Sequence, residues 1–420
     1  MAFDEMIPLE AARQLVVDKM RLMDVETVDI LASVGRVCAA PVQSDIDVAP
    51  FAHACMDGFA LRAAEIEGAT SESPVQLEVI AEVGAGDVFD GTVGVGECVR
   101  IMTGAELPAD VDAVVKYEIV DYLGGDGMPG SAVAFAAPTA VGSNIRQAGE
   151  EAKAGETILE PGEVVSCAGV GYLASCGALE IGVYARPKVA IIPTGSELVP
   201  PSEVPTPGHI RESNAHAIAA CCIAAGAVPT MMPIVADDRD ALERAVRAAV
   251  SQHDFVITTG GAANGDFDFI KDVVADSGEL LMTLVNMRPG KAQTFGIVEG
   301  TPVFGLPGNP AAAYCGFEMI IRPALRKMQG FTRLAHPHVM ARITQDEKNK
   351  DPRRIFLRST LVKAADGSFE VTPAKNQSSG LFGVIQRSNC MAVMPDGTEP
   401  VKKGDLVECI LLDVPEHIEL

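Results

Sequence analysis

Apolar residues recur at helical spacing near the start of the chain. Leu9, Ala12, Val16, Met20 and Met23 fall on one face of a helix predicted over 8–23. The segments 25–31 and 35–38 lead to Pro41. From about residue 41 to 145 the pattern changes: Val- and Ile-rich segments at 77–83, 84–87, 93–96, 113–120 and 132–136 are broken by glycine, which predicts a β-rich region. A polar, glycine-rich return over 144–162 leads into a second helical pattern at 166–175. Helical sequence on both sides of a β-rich run implies one domain assembled from two separated segments around an insertion.

From residue 187 strands and helices alternate. Residues 188–193 read as a strand, 213–226 as a helix stopped by Gly226, and 228–235 as a strand. Asp237 or Asp238 then caps a helix with Leu242, Ala245, Val246, Ala249 and Val250 on one face. Buried strands follow at 254–257 and 302–306, and a helix runs from Pro310 to Gly330. Alternation of this kind predicts a doubly wound parallel sheet. After Gly330 the texture is β again, at 339–343, 355–362, 369–372, 391–394 and 406–412, as expected for a small barrel or sandwich of about 85 residues.

Length and charge narrow the function. A chain of 420 residues is too long for one ordinary core, so about two to four domains are expected. With 33 basic and 57 acidic residues the net charge is −24, which argues against nucleic acid or an anionic membrane as the main partner. Any anionic substrate must then be captured by local basic groups, backbone donors or a metal. The ten cysteines include no CxxC pair, which suits a reducing compartment and excludes a zinc site or disulfide framework of the usual spacing. The acidic N-terminus lacks a signal-peptide core, and the longest apolar stretch, 217–228, is too short to span a bilayer. A cytoplasmic protein is expected.

Two glycine turns carry the candidate chemistry. The strand at 254–257 runs into Thr258-Thr259-Gly260-Gly261, and Gly265 allows a second turn before Asp266, Asp268 and Asp272. Backbone N–H groups beside carboxylates suit a polyphosphate held with a hard cation, which offsets the repulsion between the anions. The plain alternative is a glycine turn leading into an acidic helix start. The second turn is Pro307-Gly308-Asn309-Pro310, with Asn309 suited to the N-cap and Pro310 to the first helical position. In open α/β sheets ligands bind at the carboxyl ends of the strands, where both turns would lie. Their separation, about 40 residues, is that of a strand–helix–strand unit. In the β-rich region, 47–60 (DVAPFAHACMDGFA) reads as a loop punctuated by Pro50 and Gly58, and 99–105 (VRIMTGA) sets Arg100 and Thr103 beside a glycine. His336-Pro337-His338 reads as an interdomain linker.

These segments, together with IRQAGEE, TGSEL, NMRPGK and FGLPGNP, stand in an order that resembles the molybdopterin molybdenumtransferases, from about residue 5 to residue 410. That family includes the bacterial molybdenum-insertion proteins and the carboxyl-terminal domains of gephyrin and its plant counterpart. The resemblance implies a two-segment linking domain (1–40 plus 146–185), a β-rich inserted domain (41–145), a doubly wound, MogA-like α/β domain that binds molybdopterin (186–330) and a C-terminal β-barrel-like domain (331–420). It implies insertion of molybdate into adenylylated molybdopterin with release of AMP, a need for Mg2+, and a homodimer with shared active sites. A molybdopterin adenylyltransferase is the implied upstream partner, with no nucleic acid and no membrane.

Carried over by motif, Asp57, Glu197 and Asp268 are the catalytic candidates, and with Asp237 they are the metal candidates. Asp237 is equally well read as a helix cap. Thr103, Gly260, Gly261, Arg288, Lys291, Pro307, Gly308, Asn309, Arg353 and Ser378 are the substrate-binding candidates. Chemistry agrees: cleaving an adenylyl phosphoanhydride needs fixed phosphates, offset charge on the departing AMP and a positioned water, and Mg2+ is often held by only a few carboxylates. The sequence departs from the usual pattern at Ala262-Ala263-Asn264, where a serine hydroxyl is missing, and at Glu151, Ser196 and Cys55. Cys55 reads as a small core residue whose thiol stands beside Met56-Asp57, within reach of a dithiolene. Two other functions fit less well: the preceding adenylylation step, whose domain usually carries a different continuation of the glycine loop, and a non-catalytic binding scaffold. Molybdate and tungstate have nearly the same size and charge and are not distinguished.

Overall fold

The strand Lys188–Pro193 is buried from Val189 onward and lies between two parallel neighbours, Val228–Met231 and Phe255–Thr259. Phe255–Thr259 pairs in parallel with Thr301–Leu306, so the alternation legible in the sequence does build a parallel sheet. The structure is a computed structural model that describes residues 5–123, 125–261 and 269–412. The chain forms two compact units, one of 1–26 with 183–420 and one of 27–182.

In the first unit the helices Asn214–Ala224 and Arg239–Val250 cover the sheet. Asp238 is the residue that caps the second helix, accepting from the N–H of Ala241 at 2.7 Å. Its buried face is Leu242, Val246, Ala249 and Val250, as the spacing predicts. The first helix of the chain, Leu9–Asp18, is shorter than the predicted 8–23.

The connection between the two glycine turns differs from the expected strand–helix–strand. It holds a short helix, Ile270–Ser277, and then an antiparallel hairpin of Gly278–Arg288 and Ala292–Val298, which docks on Thr301–Leu306. The hairpin turn is Pro289-Gly290, with Gly290 at φ 102°. The sheet is therefore mixed: parallel at its centre, antiparallel on one side. The helix after the second turn runs through Pro310–Gly316, a π-helical turn at Phe317–Ile321 and Arg322–Met328. His336 does not serve as a bare linker, since its Nε2 lies 2.6 Å from the buried carboxylate of Glu318.

Beyond it, His338–Ile343, Phe369–Pro373, Arg354–Lys363, Cys390–Met394 and Leu406–Leu411 pair in a closed ring, a five-stranded barrel. Arg354–Lys363 also pairs with the end of Gly278–Arg288, which joins the barrel to the mixed sheet.

The second unit is built on a six-stranded sheet that includes Gly58–Leu61, Val75–Val83, Glu97–Ile101 and Ala132–Phe135. Gly58 is not loop punctuation but the first residue of a strand between two partners. A Cβ there would stand 2.2 Å from the carbonyl oxygen of Val115, so only glycine lets the strands close. The helix Cys167–Ser175 starts at Ser166, whose hydroxyl accepts from the N–H of Gly169. No helix among the described residues is long and apolar enough to cross a membrane.

Candidate active-site cleft and its anion pocket

At the carboxyl ends of the parallel strands lies a cleft of about 810 Å3, lined by both glycine turns and by the Thr194–Leu198 turn. Close packing of backbone shapes its floor. Gly260, at φ 101°, lies so near Thr194 that a Cβ would stand 2.4 Å from its carbonyl oxygen, and its N–H bonds to the carbonyl of Leu306 at 3.0 Å. Any side chain at Gly260 would push the two turns apart. The hydroxyl of Thr259 is buried in this floor without a hydrogen-bond partner among the described residues, as is the side-chain oxygen of Asn214. Such orphaned groups in a cleft are the mark of a polar ligand's place. The amide of Asn214 holds the carbonyl of Gly308 at 2.8 Å. Asn309 stands at the N-cap position, yet its side chain makes no capping bond; the carbonyl of Ser379 takes the N–H of Ala311 instead.

Glu197 and Asp237 line the same cleft. Glu197 is exposed, and its carboxylate folds back over Gly195, where a Cβ would meet Oε2 at 2.5 Å. Asp237 is not the helix cap. Its Oδ2 accepts the N–H of Ser196 at 3.0 Å while its own N–H donates to the Ser196 hydroxyl at 3.0 Å, a reciprocal clasp that holds the Glu197 turn. Asp268, with Ala262, Ala263 and Asn264, lies outside the described residues.

A second hollow, about 550 Å3, shares Asn309 with the cleft and is basic. Arg288, Lys348, Arg353 and Arg358 line it with Ser378 and Ser379. Asp351 organises it: Arg353 reaches its two oxygens at 2.8 and 2.5 Å, and Arg288 bridges to it at 3.2 Å. The Arg353 hydrogen bond, foremost, and the nearby guanidinium charges hold the Asp351 carboxyl down at about 2. Arg358 is buried, with its N–H groups on the carbonyls of Phe356, Gln377 and Ser378 and its Nε without a hydrogen-bond partner among the described residues. Lys291 is exposed next to this turn, and its ammonium has no partner among the described residues.

Because the native pKa of Asp351 is depressed, its stabilising contribution is complete above the ordinary carboxylate value and is lost as pH falls from about 4 toward about 2. Asp351→Asn is expected to cost about 1 kcal/mol at pH 7, or roughly 2–4 °C in melting temperature. The difference from the parent should shrink as pH falls through that window, and melting curves from pH 7 to 2 measure it.

In the other unit, Asp57 and Thr103 meet. The Thr103 N–H and hydroxyl both donate to Oδ1 of Asp57 at 2.7 Å, and these two bonds, hydroxyl first, lower the Asp57 pKa. The loop 47–57 is clasped by the IRQAGEE segment and the residues just after it: Ile145–Arg146 pairs with His53–Ala54, and the N–H of Ala154 donates to Asp47. Cys55 is half-buried and so does not fill a core, unlike the eight cysteines that are buried; Cys167 is exposed, and all ten are free.

The sequence reading missed Asp351 and Arg358. The run Asp351-Pro352-Arg353-Arg354 is a visible signal of a charged turn, whereas nothing local marks Arg358 in its strand. Among the described residues no three metal-ligating side chains cluster.

A parallel sheet with phosphate-type glycine turns, carboxylates and an adjoining arginine pocket defines a protein of the molybdopterin-binding α/β class; residues 190–327 match the family model described as a probable molybdopterin binding domain. Residues 7–177 match the MoeA N-terminal region (domain I and II), and 340–412 the MoeA C-terminal region (domain IV). The chain is 34% identical over 408 residues to the molybdopterin molybdenumtransferase of Staphylococcus aureus (strain COL), covering 97% of this chain and 96% of that one. It is 32% identical to the protein of that name from Staphylococcus epidermidis, over 96% and 95% of the two chains. The crystal structure of the molybdopterin biosynthesis moea protein from Pyrococcus horikosii superposes with a TM-score of 0.80 at 30% identity, covering 97% of this chain and 99% of that one. The chain belongs to the molybdopterin molybdenumtransferase family.

Proposed function

We propose that this protein inserts molybdate into the dithiolene of adenylylated molybdopterin and releases AMP. The observation that carries this reading is the pairing of two hollows across Asn309, a phosphate-type cleft with carboxylates and a pocket lined by arginines and a lysine. The glycine turns and the unpartnered Thr259 hydroxyl hold the phosphates. Arg288, Arg353 and Lys291, with Ser378, hold molybdate as substrate, Arg by its planar fork and Lys by its point charge. Oriented together, the reactants gain from proximity.

Magnesium fits the cleft. Glu197 and Asp237 present carboxylates there, and Mg2+ needs only one or two such ligands beside waters and substrate phosphates. When bound it neutralises phosphate charge. Asp268 is a further candidate for holding the cation or the attacking water.

The reading extends to a homodimer in which Asp57 and Thr103 of one copy serve the cleft of the other. Exposed Leu31, Val34, Val164 and Leu179 in the second unit support a covered face. The supplier of substrate is a molybdopterin adenylyltransferase, and ten free cysteines suit the cytoplasm.

The test is incubation with adenylyl-molybdopterin, magnesium and molybdate. AMP release that depends on molybdate is expected; no release, with adenylylation of molybdopterin by ATP instead, overturns the reading. Running tungstate in competition sets the metal preference. Lys291→Ala should raise the half-saturating molybdate concentration about tenfold with little change in melting temperature, because the side chain is exposed. An unfolded variant would assign Lys291 a structural role.

A further inference from the structure

The cations of the basic hollow are not equivalent. Arg288 and Arg353 share the carboxylate of Asp351, and both side chains reach solvent. Lys348 is exposed, and Glu347, which also lines the hollow, accepts from the amide of Gln345 at 2.6 Å. Arg358 stands apart. It is 3% exposed, and no carboxylate among the described residues lies within ion-pair distance of it. A buried guanidinium is costly unless a counter-charge is supplied. Burial pushes its pKa below the usual arginine value, and the like charge of Arg288 adds to the fall.

Its donors are nevertheless ordered. Nη1 donates to the carbonyl of Phe356 at 3.2 Å, and Nη2 to the carbonyls of Gln377 and Ser378. The backbone N–H of Arg358 donates to Oε1 of Gln377 at 3.1 Å, and the Gln377 amide returns a bond to the Arg358 carbonyl at 2.9 Å. Gln377, Ser378 and Ser379 all line the hollow, so one wall is laced to the strand Arg354–Lys363. The far end of that wall is fixed by the bond from the Ala311 N–H to the Ser379 carbonyl at 2.8 Å.

We propose that Arg358 sets the anion affinity of this hollow: a bound oxyanion supplies the counter-charge it lacks, and its N–H groups hold Ser378 in the wall. This rests on the transferase reading above, which names the oxyanion as molybdate. An anion entering the hollow must share Arg288 and Arg353 with Asp351, whereas Arg358 has no competing carboxylate. Away from solvent its attraction is also less screened. Toward Ser378, Arg358 is a positioning residue, and Gln377 is its partner in that role.

The experiment is calorimetric titration of the full-length protein with sodium molybdate alone, for the parent, Arg358→Gln, Arg358→Lys and Gln377→Ala, with melting temperatures recorded. Arg358→Gln should weaken molybdate binding at least about tenfold. Arg358→Lys, which keeps the charge and loses the planar fork, should recover most of that loss. Gln377→Ala keeps the guanidinium, loosens the serine wall and should weaken binding about threefold. Parent-like binding in Arg358→Gln, a Lys variant as weak as the Gln variant, or no molybdate binding by the parent overturns the assignment. If Arg358→Gln does not fold, unchanged binding in Gln377→Ala overturns it and weakened binding supports it. Molybdate-dependent AMP release, run in parallel, separates the two ideas. A parent that releases AMP, with the half-saturating molybdate concentration unchanged in Arg358→Gln, keeps the transferase reading and loses the role of Arg358. A parent that binds molybdate through Arg358 and releases no AMP keeps that role and loses the reading.

Discussion

Glu197→Gln is expected to lower AMP release by about 100-fold or more at saturating magnesium, with the melting temperature within about 2 °C of the parent. The substitution keeps size and hydrogen-bonding reach and removes only the charge. Glu197 is exposed on a turn whose backbone is held independently: the clasp between Asp237 and Ser196 and the bond from the Gly195 N–H to the Val235 carbonyl do not involve its carboxylate. A fold defect is therefore not expected, and any loss reports on charge in the cleft. Asp268→Asn is expected to behave alike, retaining fold and pterin binding while losing AMP release. The split between kcat and KM adds information. Loss confined to kcat places the charge in the transition state, and a rise in KM alone places it in ground-state binding. Near-normal turnover of either variant at saturating magnesium removes that residue from the catalytic set.

Mixed dimers of Asp57→Asn and Asp268→Asn chains are expected to recover activity that neither variant has alone. With sites shared between two copies, one cleft of a mixed dimer carries both lesions and the other carries none. Random mixing makes about half of the dimers mixed, so roughly a quarter of all clefts, and about half of those in purified mixed dimers, should work. If each site lies within one chain, every cleft keeps one lesion and nothing recovers. Co-expression of differently tagged chains, tandem purification of the mixed species and measurement of AMP release decide between them. Inactive mixed dimers, once shown to have formed, would sink the shared-site arrangement. The lowered pKa of Asp57 supports its use as a charged group here, since two bonds from Thr103 favour the carboxylate.

Local signals in the sequence located most elements because the cause of each element is local. Helix Arg239–Val250 follows from its apolar stripe and its Asp cap, and Cys167–Ser175 from the serine before it. The hairpin at 278–298 was hidden by its neighbours. The run 280–287, apolar except for Thr283 and Asn286, is compatible with strand or buried helix, and the Pro289-Gly290 turn is the local mark of a hairpin. Asn309 shows the opposite error. The residue type predicts a capping side chain, but the carbonyl of Ser379, about 70 residues later in the chain, already satisfies a helix amide.

What the sequence by itself determined is the set of glycine turns, the order of the motifs and the residue types that can carry phosphate and oxyanion chemistry. A positive φ or a missing Cβ is a property of one residue, so Gly195, Gly260 and Gly290 are legible wherever they stand. Tertiary structure alone decided how the charges pair. Asp351 draws in Arg288 from 63 positions away, and Asp237 gives up its cap to hold Ser196 from 41 positions away. Charge–charge attraction and hydrogen bonding act over a few ångströms in space without regard to separation along the chain, so their partners become known only once the strands have brought them together.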